Sequence, residues 1–166
     1  MNKLTVVLSF FILLSTSSFA QQYGHLNFGN LLSSMSETKA ADSALEAFQK
    51  QLVAKGEQKV KALQTKYKEY SGKIEGVSPN QAKKWEDELT KMQQDIAKYE
   101  QEVQQQVVKK RQDLLKPIIE KAQKAIDEVA KEKGYAMIFD SSVFNSILYG
   151  AESTDIMIFV TAKLGL

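Results

Sequence analysis

From Ser36 to Tyr70 the sequence has no proline and a single glycine, and a row of apolar residues falls at Leu45, Phe48, Leu52, Val60, Leu63, Tyr67 and Tyr70, with Gly56 in the one vacant slot. Steps of three and four put these side chains on one stripe of an α-helix. A second stripe with the same spacing runs through Ala82, Trp85, Leu89, Met92, Ile96, Tyr99, Val103 and Val107. Gly72, Gly76 and Pro79 interrupt between them, and Ser78 is placed to cap a helix whose first turn holds Pro79. The pattern predicts two long helices joined by a turn.

In an antiparallel pair the numbers of facing residues add to a constant. Pairing Tyr70 with Ala82, Tyr67 with Trp85, Leu63 with Leu89, Val60 with Met92, Gly56 with Ile96, Leu52 with Tyr99, Phe48 with Val103 and Leu45 with Val107 meets that condition to within one residue. Two unrelated amphipathic helices on a globular core would also carry stripes, but they need not share a phase. The expectation is one two-helix arm over 36–111 with its tip at 71–80, about 30 paired residues per helix and so ~45 Å long.

The second helix continues past the pairing. Leu114, Leu115, Ile118, Ile119, Ala122, Ala125, Ile126 and Val129 make a wider apolar face across 112–133, and Gly134 follows as a C-cap. Pro117 lies inside this run; it removes an amide and is expected to kink the helix there.

The rest of the chain, 21–35 and 134–166, must then build a β-rich body. Three strand candidates stand in it: Tyr23–Phe28, Tyr135–Phe139 and Ser146–Tyr149. Ser153 or Thr154 is expected to cap a last short helix bearing Ile156, Phe159, Val160 and Leu164. The resulting class is α+β and predominantly helical. So small a sheet leaves strand edges and apolar faces open in one copy, which predicts self-association. Leu26, Phe28, Ile138, Phe139, Ile147, Leu148, Ile156 and Phe159 are the candidate residues of that oligomeric body.

Residues 1–20 have a different character. Lys3, the apolar run Leu4–Leu14 and the close Ser18-Phe19-Ala20 form the three-part pattern of a cleaved export signal. The run is far shorter than the roughly 20 residues that span a bilayer, and no later segment approaches that length, so no integral membrane segment is expected after cleavage.

Chemistry is restricted by what is missing. With no Cys and one His, the chain has no disulfide, no thiolate nucleophile and no histidine cluster for a metal. Gly24 to Gly29 has the spacing of a phosphate loop, but Asn30-Leu31 stands where Lys and Ser/Thr are required. His25 has no Ser or carboxylate at a telling distance. No catalytic residue, cofactor or metal is therefore expected. The 22 Lys+Arg against 20 Asp+Glu, a formal charge of +2, give the overall balance no pull toward nucleic acid.

What remains is binding. A two-helix seam has open flanks, so Leu63, Tyr67, Tyr70, Trp85, Leu89 and Met92 near the tip stay partly reachable, with Lys66, Lys73, Lys83 and Lys84 around them. The same aromatics also serve to zip the helices together, and both roles can hold at once. Gly56 is a candidate hinge, because glycine inside a helix costs about 0.5–1 kcal/mol relative to alanine.

The start Leu31 to Glu37 (LLSSMSE), the hairpin, and the tail with Pro117-Ile118-Ile119, Ala125 to Tyr135 (AIDEVAKEKGY), Phe139-Asp140, Ile147 to Gly150 (ILYG) and Asp155-Ile156 through Lys163-Leu164-Gly165 resemble the Skp family, also called OmpH-like periplasmic chaperones. The resemblance spans nearly the whole chain after residue 20. It implies a homotrimer whose strands interlock into a central body, with three helical arms around a cavity. That cavity would hold unfolded outer-membrane β-barrel proteins in the periplasm and prevent their aggregation without ATP. Members of this family are often strongly basic, whereas this chain is nearly neutral. The alternative is a structural coiled-coil spacer or adaptor that binds one folded envelope partner.

Overall fold

A computed structural model describes residues 21–166; the expected export signal lies outside the described residues. The element order is β1 (Gln22–Leu26), α1 (Phe28–Ser34), α2 (Ser36–Ser71), α3 (Pro79–Lys133), β2 (Tyr135–Asp140), a 3-10 turn (Glu152–Thr154) and α4 (Met157–Leu164). The protein is mostly helical with one small sheet. The chain forms two compact units, one of 21–28 with 125–165 and the other of 29–124.

The helical unit follows its sequence signals closely. Gly72 ends α2, its amide donating to the carbonyl of Lys68 at 3.1 Å. Gly76 takes a positive φ of 81° in the turn, a conformation that glycine adopts without a Cβ penalty. Ser78 opens α3 as expected: its hydroxyl accepts from the Gln81 amide at 3.3 Å and its carbonyl accepts from the amides of Gln81 and Ala82. Pro79, lacking an N–H, stands at the first helical position, where no partner is needed. α3 continues as one element through Pro117 and ends at Gly134, whose φ is 75°. Lys121 and Glu37 form an ion pair between α3 and α2. The buried residues of this unit are Leu31, Met35, Ala41, Leu52, Tyr70, Tyr99, Ile118 and Ala122.

The body is built on a two-stranded parallel sheet, with Tyr23 opposite Met137 and Leu26 opposite Asp140. Parallel strands need a long crossover, and here α1, α2 and α3 together supply it. On its other edge β1 is bridged to Asp155, and the Ile156 amide donates to the His25 carbonyl at 2.9 Å. Gly24 permits this closeness, since a Cβ there would lie 2.8 Å from Ile156 Cγ2. Leu26, Ala125, Val129, Ile156 and Val160 form the buried set of the body. Lys163 closes the outside by pairing with Glu128 at 3.1 Å and with Glu132, which together hold its ammonium above the usual lysine range, Glu132 most strongly.

Two local expectations are corrected. Ser146–Tyr149 is not a strand but part of an irregular loop, with the Ser146 amide donating to Val143 and its hydroxyl to the Asp140 carbonyl at 2.7 Å. Both edges of β1 are already taken by β2 and Asp155, so this segment finds no strand beside it there. α4 is capped by neither Ser153 nor Thr154, which lie in the 3-10 turn; the Asp155 carboxylate accepts from the Met157 amide at 2.8 Å. The cap position of α4 is Ile156, which offers no side-chain cap bond, and Asp155 ends the 3-10 turn just before it.

Candidate functional site

The end of the helical hairpin carries a groove built over a paired polar network. Here the last turns of α2 face the first turns of α3, and the ring of Tyr70 stacks on Trp85 with centroids 4.6 Å apart and an interplanar angle of 5°. Tyr70 is buried, and its hydroxyl donates to the Glu88 carboxylate. Lys66 donates to the same hydroxyl at 3.2 Å and lies 3.5 Å from Glu88. The bond to Glu88 raises the Tyr70 phenol above its ordinary value, and the same bond holds Glu88 below the usual carboxylate range. Lys73 pairs with Glu69 at 2.8 Å and lowers that carboxyl in turn.

This network supports an open groove of about 1270 Å³, lined by Leu63, Tyr67, Tyr70, Ile74, Trp85 and Leu89 on its apolar side and by Lys68, Lys83 and Glu86 among its polar residues. Of the residues expected at a binding tip, Leu63, Tyr67, Tyr70, Trp85, Leu89 and Lys83 come together here. Met92, Lys66, Lys73 and Lys84 do not line it. Lys66 and Lys73 are instead tied into the supporting ion pairs. Ile74 was not anticipated, although an apolar residue between two turn glycines, as in Gly72-Lys73-Ile74-Glu75-Gly76, is a readable signal.

Of the expected facing pairs, Leu52 and Tyr99 meet, the Tyr99 hydroxyl reaching the Leu52 carbonyl. Trp85 stacks on Tyr70, and the open side of Gly56 meets Tyr99 rather than Ile96. Side chains on a helix lean toward its N-terminus, so in an antiparallel pair the rings of both helices reach partners about one turn from the facing position. At Gly56 this creates a specific fit. A Cβ there would lie 3.4 Å from the Tyr99 ring, and the Tyr99 hydroxyl donates to the Leu52 carbonyl at 2.8 Å. Lys55 and Lys59 stand over the same ring at 5.8 and 5.5 Å from its centroid.

In the body, Leu26 and Ile156 are interior residues of their own unit, Phe28, Ile138 and Ile147 are half-buried, and Phe139, Leu148 and Phe159 are exposed. Phe144, Leu148 and Tyr149 reach 91%, 90% and 86% exposure, and Met137, Val143 and Ile158 are also exposed. His25 makes no side-chain hydrogen bond among the described residues, and its ring lies against Gly150. No group of His, Cys, Asp and Glu among the described residues could hold a metal, and no helix of theirs is long and apolar enough to cross a membrane.

The family described as "Outer membrane protein (OmpH-like)" matches residues 22–164. The chain belongs to the OmpH-like family. A crystal structure from Caulobacter crescentus CB15, of a protein assigned as an OmpH-like outer membrane chaperone, is similar in fold with a TM-score of 0.75. It is 17% identical, and the match covers 87% of this chain and 83% of that one. No curated protein matches the sequence.

Proposed function

We propose that this OmpH-like chain is a periplasmic holdase: it binds unfolded outer-membrane β-barrel proteins between helical arms and keeps them from aggregating, without ATP. The observation that carries this reading is the tip groove, where apolar side chains remain accessible although the polar groups beneath them are already paired. Such a surface binds by many weak, sequence-tolerant contacts, which suit a client that must later leave without an energy source. Met92 and the lysines around the tip belong to the wider client surface in this reading, and Gly56 and Pro117 are its hinge and kink.

The body supports a homotrimer. A two-stranded sheet is marginal by itself, and the loop side chains Phe144, Leu148 and Tyr149 leave water only when another copy covers them. The test uses the chain lacking residues 1–20. It is expected to have the mass of a trimer in solution and to suppress light scattering by several unrelated unfolded barrel proteins at one trimer per client. Protection of none of them, with tight binding to one folded envelope protein, would identify a structural spacer instead.

A further inference from the structure

We infer that the tip groove docks a segment of unfolded polypeptide in which an aromatic or branched aliphatic anchor is flanked by carboxylates. The inference rests on the chaperone reading and narrows it to a partner chemistry and a place. At about 1270 Å³ the groove exceeds the ~300–1,000 Å³ of ordinary small-molecule pockets, so a stretch of chain fits it better than a metabolite. Its aromatic floor is held in advance, because Glu88 and Lys66 fix the Tyr70 ring against Trp85. Tyr67 and Ile74, 63% and 59% exposed, stand at its rim and would be covered by such an anchor.

Charge sets the flank. Lys66 and Lys73, outside the groove, are neutralised by Glu69 and Glu88. Lys68 and Lys83 line the groove from opposite helices and make no ion pair among the described residues, and Glu86 is the one carboxylate in the lining. The margin thus presents two uncompensated ammonium groups to one carboxylate. A nearly neutral chain thereby keeps a local preference for acidic segments that its net charge hides.

Trp85 is the only tryptophan in the sequence, so its emission reports on this groove alone. The probes are two short peptides without tryptophan that share Phe and Leu anchors, one flanked by Asp and one by Lys, titrated into the full chain lacking residues 1–20. The Asp-flanked peptide is expected to shift Trp85 emission and to bind about tenfold more tightly at low salt, the difference shrinking as salt is added. Lys68→Glu combined with Lys83→Glu reverses the preference, and Tyr67→Ala weakens both peptides alike. Binding that leaves Trp85 emission unchanged, or a preference that survives the double charge reversal, overturns the inference. Continued suppression of barrel-protein aggregation in that case leaves the holdase reading standing; peptide docking with no such suppression removes that reading and keeps the groove.

Discussion

The hairpin tip and the body both expose large apolar side chains, but they do so on different terms. At the tip, Tyr67 and Ile74 stand over a floor whose rings are stacked and whose phenol, ammonium and carboxylate groups are all satisfied within one chain. In the body, β2 has β1 as its one strand neighbour among the described residues, and Phe144, Leu148 and Tyr149 stand almost wholly exposed. Exposure above a completed network is a surface ready for a transient guest. Exposure beside an incomplete sheet calls for a permanent neighbour.

The largest effect that can break this contrast lies in the body. Ile156 is fully buried against Gly24, and Ile156→Ala is expected to destabilise the fold by about 2–5 kcal/mol in denaturant titrations. A loss below 1 kcal/mol would mean that the small sheet does not depend on its own interior. In the arm, Tyr99→Phe deletes one hydroxyl bond to the Leu52 carbonyl and is expected to cost about 0.5–1.5 kcal/mol. An unchanged midpoint would assign the mid-arm fit to the ring alone.

Gly56→Ala is expected to act in the opposite direction. The added methyl meets the Tyr99 ring at 3.4 Å, an ordinary contact, while helix propensity improves, so the arm gains up to about 1 kcal/mol. If scattering then shows the same spread of arms and client capacity is kept, Gly56 is a notch for Tyr99 and not a hinge.

The smallest effect is the response to acid. Lys121 holds the Glu37 carboxyl down to about 2, mainly by their hydrogen bond, and Glu88 is likewise held below its usual range by Tyr70. For a lowered carboxyl the contribution to stability is complete above the ordinary value of 4.5 and is lost as pH falls toward the folded value. Glu37 is half-buried and Glu88 exposed, so solvent screens both and the loss is modest. Carboxyl resonances followed by NMR should show Glu37 titrating near 2; a midpoint near 4.5 would mean that the pair with Lys121 is not held in solution.

The hairpin was legible in the sequence because its signals are local: two stripes, two turn glycines, Ser78 and Pro79. Gly134 was legible for the same reason. Leu52 and Tyr99 meet as counted, while the Tyr70–Trp85 stack and the Gly56–Tyr99 contact fall about a turn from the counted pairs, since counting residues locates Cα positions whereas rings lean along the axis. Ser146–Tyr149 misled because strand propensity records what a segment tolerates, and whether it pairs depends on a neighbour many residues away. The parallel direction of β1 and β2 was unreadable on the same grounds. The start of α4 was misplaced because it follows the bridge between Asp155 and His25, and its cap position, Ile156, carries no capping side chain. The groove was half visible: its aromatics stood in the stripes, but which lysines were already neutralised emerged only from the ion pairs.

The side-by-side pairing of the two chain ends also bears on the order of folding. The Phe28 amide donates to the Asp140 carboxylate across 112 positions of sequence, whereas the hairpin is made from neighbours. Closing so long a loop in an unstructured chain carries an entropy cost that grows with its length, and contacts of high sequence separation slow folding. A helix that goes out and another that returns shorten that loop before the strands meet. Nothing can complete the sheet until β2 has been made, so during synthesis β1 emerges first and waits longest, an unpaired strand whose partner comes more than a hundred residues later.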